Sequence, residues 1–123
     1  MKYYFTDKEK SAIVHVAVSM EAADEKEDLR ESLINIKIFQ YLNISSDAVE
    51  NAKSLSLLDS MAIIKNMTQD EKKFVCSCLA AIMCADKEID EKEMTLWKLV
   101  STICEFPTMH IKEALKYFID NVE

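Results

Sequence analysis

Two short acidic segments carry the side chains of this sequence that are best suited to ligand chemistry. Both have the spacing Asp-x-x-x-Asp-x-x-Glu, one in the first half of the chain and one in the second. Carboxylate oxygens are the hard ligands that Ca²⁺ and Mg²⁺ prefer, whereas zinc is usually held by Cys and His. The candidate metal ligands are therefore six carboxylates: Asp24, Asp28 and Glu31 in the first turn, and Asp86, Asp90 and Glu93 in the second.

The net charge of the chain is concentrated in these two acidic turns. The formal charge is -7. Residues 21–31 contain six acids and two bases, residues 86–93 contain five acids and two bases, and the rest of the chain has 11 of each. The turns would repel a phosphate backbone, and no basic stripe is present elsewhere in the sequence. Nucleic acid is therefore not expected as a partner.

Helix capping is a second explanation for part of each turn. The last Asp and the Glu of each turn have the spacing of a capping box, in which side-chain oxygens accept from unpaired N–H groups at a helix start. Asp24 and Asp86 are different, because each lies where the preceding helix is predicted to end, and a carboxylate is unfavourable at that negative end. The residues alone leave two alternatives, which are capture of a divalent cation and metal-free caps with Asx-turns.

The acidic turns belong to a longer internal repeat. Segment 6–54 aligns with segment 68–116 at a constant offset and without a gap. Both copies open with a Thr-x-x-Glu capping box, at Thr6 and at the equivalent Thr68, so a long helix is predicted to begin there in each copy. We expect two similar helical halves, related by an approximate two-fold axis, within a single domain that spans residues 1–123.

The composition and the apolar spacing predict an all-α fold. The chain has no glycine and one proline, which disfavours tight hairpins and glycine-rich phosphate loops. Residues 13–20 alternate like a strand, but their counterpart in the second copy has helical spacing, so we assign a central, buried helix. Residues 55–66 fit a further helix that links the halves and ends at Asn66 in a left-handed cap. The total is about seven helices.

The last helix is predicted from its cap and its apolar positions. Pro107 ends the helix before it, and Thr108 is the predicted N-cap. The positions expected to point inward are Ile111, Leu115, Phe118 and Ile119.

The turns and the duplication together resemble a known family. The pattern is Ala-Asp-x-x-Ile-Asp-x-x-Glu at 85–93, with the weaker copy Ala-Asp-x-x-x-Asp-x-x-Glu at 23–31. These features resemble the TerB-like family of tellurite-resistance proteins, which includes the N-terminal domain of the co-chaperone DjlA. The resemblance implies a seven-helix fold with internal symmetry and a divalent cation, Ca²⁺ or Mg²⁺, at the six carboxylates. Members commonly have glycine after the first Asp, where this chain has Glu25 and Lys87.

These observations predict a non-enzymatic binding module. No strained serine turn is visible, and the four cysteines are expected to be reduced core thiols. The resemblance implies a divalent cation and a protein partner in a stress-response pathway. The alternative is a metal-free interaction or homodimerisation domain whose acidic turns are helix caps. No apolar stretch has the length of a membrane span, so we predict a cytoplasmic protein without direct membrane insertion.

Overall fold

A computed structural model of the chain describes residues 3–23, 28–85 and 88–122. These residues contain seven α-helices and no strand, which confirms the predicted all-α fold. None of these helices has the length and apolar character needed to cross a lipid bilayer. In chain order they are α1 (Asp7–Ala22), α2 (Leu29–Leu42), α3 (Ser46–Ser54), α4 (Leu57–Lys65), α5 (Gln69–Cys84), α6 (Glu91–Ile103) and α7 (Ile111–Asn121).

The helix boundaries follow the repeat in the sequence. α1 and α5 have 16 residues each, and they begin and end at equivalent positions of the two copies. α2 and α6 also begin at equivalent positions. The N-caps Thr6 and Thr68 accept hydrogen bonds from the N–H groups of Glu9 and Glu71, whose side chains close both predicted capping boxes. The same local chemistry therefore starts the first helix of each half.

The contacts between helices are paired across the two halves. α1 packs against α3, and α5 packs in the corresponding way against α7. α2 contacts both α1 and α5, and so does α6. These pairs agree with the predicted two-fold relation between the halves. α4 has no counterpart in the repeat, and it joins the halves by contacting α1 and α6.

The hydrophobic core is built around α5 and α1. Every residue of α5 from Phe74 to Met83 is buried. The Phe74 ring lies against the rings of Tyr3, Phe5 and Tyr41, with centroids 5.0 to 5.8 Å apart. A hydrogen bond between the hydroxyl groups of Tyr3 and Tyr117 ties the segment before α1 to α7. Because α1 is buried on most sides, it has no single apolar stripe, which explains the strand-like spacing of residues 13–20.

Three of the four cysteines are packing residues of this core. None of the four forms a disulfide, and Cys76, Cys78 and Cys104 are buried. Burial raises the pKa of Cys76 to about 12 and that of Cys104 to about 11, and it also raises the pKa of Cys78. These groups are therefore thiols rather than thiolates at neutral pH and have low reactivity. The predicted reduced core thiols are confirmed for these three residues.

Three predicted details of the helix ends are wrong. Asn66 has φ -85° and ψ 0°, a right-handed conformation, because the chain runs on almost directly to the N-cap of α5 at Thr68. The N-cap of α7 is His110 and not Thr108, since residues 106–110 lie outside any helix and His110 itself has an extended backbone. Ile119 is 46% exposed, because α7 packs through the face that carries Ala114 and Phe118.

Two residues with a left-handed backbone are equivalent in the repeat. They are Asn43, with φ 54°, and Glu105, with φ 56°. In each case the N–H of the following residue bonds to the carbonyl five residues before it, over 2.9 and 3.0 Å. This is the Schellman arrangement, in which glycine is the usual left-handed residue. The second helix of each half therefore ends with the same backbone turn.

Replacing Glu105 with glycine is expected to raise the free energy of unfolding by about 0.5–1 kcal/mol. Glycine has no Cβ and relieves the left-handed strain, although it also makes the unfolded chain more flexible. The lost ion pair with Lys65 is exposed and long, 3.9 Å, and contributes little. Urea unfolding measures the difference. Lys98→Gly, in the exposed interior of α6, should instead lower stability by about 1 kcal/mol, and equal losses for both variants would contradict this explanation.

Candidate functional site

At the first acidic turn, Asp28 is the N-cap of α2 and is paired with Arg30. Its Oδ1 accepts from the backbone N–H of Arg30 over 2.8 Å, and its Oδ2 accepts from Nη2 of the same residue over 3.1 Å. The side-chain hydrogen bond from Arg30 is the main cause that lowers the pKa of Asp28. This carboxylate is therefore ionised at neutral pH and already has a cationic partner within its own turn.

At the second acidic turn, Asp90 is the N-cap of α6. Its Oδ1 accepts from the backbone N–H of Lys92 over 2.7 Å. Its own N–H donates to Oε1 of Glu93 over 3.2 Å, which closes a capping box. The predicted N-cap role is confirmed for Asp28 and for Asp90. The predicted capping box is confirmed for Asp90 with Glu93, whereas Asp28 caps α2 through the N–H of Arg30.

The glutamates of both turns are fully buried. Glu31 and Glu93 each have 0% exposure. Glu9 and Glu71 occupy the same third position of α1 and α5, take part in capping boxes and remain partly exposed. Capping by a glutamate at this position therefore does not require a buried carboxylate. Burial of a carboxylate has a large desolvation cost, so groups that stabilise its charge are expected at both turns.

The first turn has additional polar groups that the second turn lacks. The carboxylate of Glu21, in the last turn of α1, accepts from Ser32 Oγ and from Asn35 Nδ2, the latter over 3.0 Å. Asn35 is only 4% exposed. This cluster was not predicted from the sequence, although an Asn four residues after Glu31 within an apolar helix was a usable signal. The corresponding residues of the second half are Met83, Met94 and Trp97.

Four of the six predicted ligands lie in the part of the chain that the structure describes. Each turn brings its last Asp together with its Glu at the start of a helix. Asp24 and Asp86 lie outside the described residues. Within residues 3–23, 28–85 and 88–122, no group of three or more His, Cys, Asp or Glu side chains is placed to hold a metal ion. In each turn, two of the three predicted carboxylates therefore lie among the described residues.

A cavity between α1 and α3 is a second candidate site, and it was not predicted from the sequence. It has a volume of about 390 Å³, and its lining includes Val14, His15, Val18 and Lys53. Nδ1 of His15 donates to the carbonyl of Ala52 over 2.9 Å, which fixes the ring in the wall of the cavity. The position of His15 within an apolar helix was the available signal, but the cavity itself depends on how closely α3 packs.

Comparison with known proteins shows that the chain is similar to a protein of known structure. No family model and no curated protein matches the sequence. The crystal structure of PG1108, a protein of unknown function from Porphyromonas gingivalis W83, is similar with a TM-score of 0.81 and 32% sequence identity. The match covers 97% of this chain and 93% of that chain, so it includes both halves and both acidic turns. The chain therefore belongs to the same family as this Porphyromonas gingivalis protein.

Proposed function

We propose that this chain is a non-enzymatic helical module of TerB-like type that binds a divalent cation, Ca²⁺ or Mg²⁺, at its acidic turns. The observation that carries the proposal is the full burial of Glu31 and Glu93 at equivalent positions of the repeat. An ionised carboxylate loses much of its hydration when it is buried, and a bound cation offsets that loss. Carboxylate oxygens are also the ligands that these two cations prefer.

The two turns are not expected to bind equally well. Arg30 already neutralises Asp28, so a cation at the first turn must compete with a guanidinium group. At Asp90 the cap donor is the neutral backbone N–H of Lys92, and among the described residues no guanidinium group is recorded as its partner. We therefore expect tighter binding at the second turn. Asp24 and Asp86 would complete the ligand sets.

The proposal also includes a protein partner in a stress-response pathway of the cytoplasm, as the TerB-like resemblance implies. A second candidate function is a metal-free interaction or homodimerisation domain. Specific contacts favour it, because the ion pair of Asp28 with Arg30 and the capping box of Asp90 and Glu93 give these acids roles that need no ligand. The two candidates differ in whether the buried glutamates respond to a cation.

Calorimetric titration of the chelator-treated protein with Ca²⁺, Mg²⁺ and Mn²⁺ tests the proposal, together with thermal unfolding in each cation. The informative variants are Glu31→Gln and Glu93→Gln, because glutamine removes the charge and keeps a side-chain acceptor of the same length, which preserves the capping box of Asp90 and Glu93. We expect binding heat and a higher Tm for the wild type, loss of one site in each single variant, and no response in the double variant.

Glu9→Gln and Glu71→Gln are matched controls, since they make the same change at the same position of α1 and α5. Both controls should respond to the cation as the wild type does. Absence of binding heat in the wild type, or an unchanged response in the Glu31→Gln/Glu93→Gln double variant, would reject the cation and favour the metal-free module.

A further inference from the structure

The cavity between α1 and α3 has the size and lining of a small-molecule site. Its volume of about 390 Å³ lies within the range of ligand pockets, about 300–1,000 Å³. Val14, Val49 and Ala52 form apolar parts of its wall. Val18 also lines it, and this apolar side chain is 45% exposed. The first half of the molecule therefore leaves an apolar surface open to solvent next to its central helix.

In the second half of the molecule, the equivalent helix face is covered by another helix. The face of α1 that lines the cavity has a counterpart on α5 at the offset of the repeat. That counterpart is covered by α7, which packs directly on α5. The residues of α5 that correspond to Val14, His15 and Val18 are each at most 1% exposed: Cys76, Ser77 and Ala80.

The difference between the halves arises from the length of the third helix. α7 continues to Asn121 and buries Phe118, which is 1% exposed. α3 ends at Ser54, because the chain turns away to begin α4 after the N-cap Ser56. Ser56 is the residue that corresponds to Phe118, and it is exposed. The first half thus lacks the aromatic side chain that helps to close the second half, and an apolar group from elsewhere would fit there.

The charge at the edge of the cavity indicates which polar group a ligand would carry. Among the described residues that line it, Lys53 carries a positive charge, in a protein whose net charge is -7. Lys53 is paired with Glu50 over 3.1 Å, but both side chains are 69% exposed. An exposed ion pair of this kind contributes little to stability. A ligand carboxylate could therefore replace Glu50 as the partner of Lys53 at a small cost in free energy. A negative group on the ligand would therefore be held at the edge of the cavity.

We propose that this cavity binds a small apolar carboxylate, with its aromatic or alkyl part against Val14, Val18 and Val49 and its carboxylate paired with Lys53. The site does not involve the carboxylates of the acidic turns, so it goes beyond the cation-binding function proposed above and does not depend on it. The apolar part of the ligand would occupy the position that Phe118 of α7 fills in the second half.

Titration of the full chain with 3-phenylpropionate, followed by two-dimensional NMR, tests the site, with 3-phenylpropan-1-ol as its uncharged analogue. We expect saturable shifts at residues of α1 and α3 and weaker binding of the alcohol. Lys53→Met should weaken binding of the acid by about two- to fivefold, the contribution of an exposed ion pair, and should not affect the alcohol. Val18→Trp, at an exposed position, should fill the cavity and abolish binding of both.

Lys65→Met is the matched control, because Lys65 is also an exposed lysine with a carboxylate partner but does not line the cavity. Its affinity for the acid should equal that of the wild type. Absence of binding at millimolar 3-phenylpropionate, or binding that survives Val18→Trp, would overturn the site. Equal affinity for acid and alcohol would overturn the role of Lys53 and with it the proposed ligand class.

Discussion

Replacing Phe74 with alanine is expected to lower the free energy of unfolding by about 3–5 kcal/mol, the usual loss for a buried phenylalanine. Phe74 has 0% exposure and lies on α5, the most buried helix. Its ring contacts Tyr3 and Phe5 before α1 and Tyr41 on α2, at centroid distances of 5.0, 5.8 and 5.5 Å. The substitution therefore leaves a cavity where three parts of the chain meet.

Urea unfolding followed by circular dichroism gives the size of this loss, since a change in midpoint at constant slope reports stability. Tyr4→Ala is the control, because Tyr4 is an aromatic residue of the same N-terminal segment and is 85% exposed. We expect this control to change stability by less than about 0.5 kcal/mol. Similar losses for Phe74→Ala and Tyr4→Ala would mean that the aromatic cluster is not the packing centre described above.

The second large effect is expected at Ala80, which is fully buried in α5. Ala80→Leu adds three carbon atoms to the buried interior of α5, and overpacking of this kind costs about 1–3 kcal/mol or more. Val18 is the corresponding residue of α1 and borders the open cavity. Val18→Leu should change stability by less than about 0.5 kcal/mol, because the cavity can accept the larger side chain.

Thermal unfolding of the two variants compares the halves directly. The expected result is a clear fall in Tm for Ala80→Leu and little change for Val18→Leu. A fall of equal size in both variants would show that the first half is as tightly closed as the second, and the cavity between α1 and α3 would then be filled in solution.

The sequence predicted the helices because their ends depend on neighbouring residues. A Thr or Asp followed by Glu three residues later caps a helix start through hydrogen bonds within a single turn. This signal therefore depends little on the rest of the fold. The same signals in both copies of the repeat identified α1 as a helix despite its strand-like spacing. The left-handed turn at Glu105 had no such signal, because glutamate rarely adopts this conformation. Only its equivalence to Asn43 explains it.

The properties of the candidate sites depended on packing between distant segments and were harder to predict. The spacing identified Glu31 and Glu93, but their full burial results from the way α2 and α6 lie against both α1 and α5. The cavity depends on the point at which α3 stops relative to α7, which no local pattern encodes. The sequence repeat predicted that the halves are alike, whereas the proposed carboxylate site arises from the place where they differ.

The contact between Tyr3 and Tyr117 has a consequence for how this domain can be joined to others. The hydrogen bond between their hydroxyl groups holds the segment before α1 beside the final helix. Polypeptide attached before α1 and polypeptide attached after α7 would therefore emerge at neighbouring points. A domain with that geometry can be accommodated within a loop of a host protein, or rejoined end to end and opened elsewhere, with little disturbance of its interior.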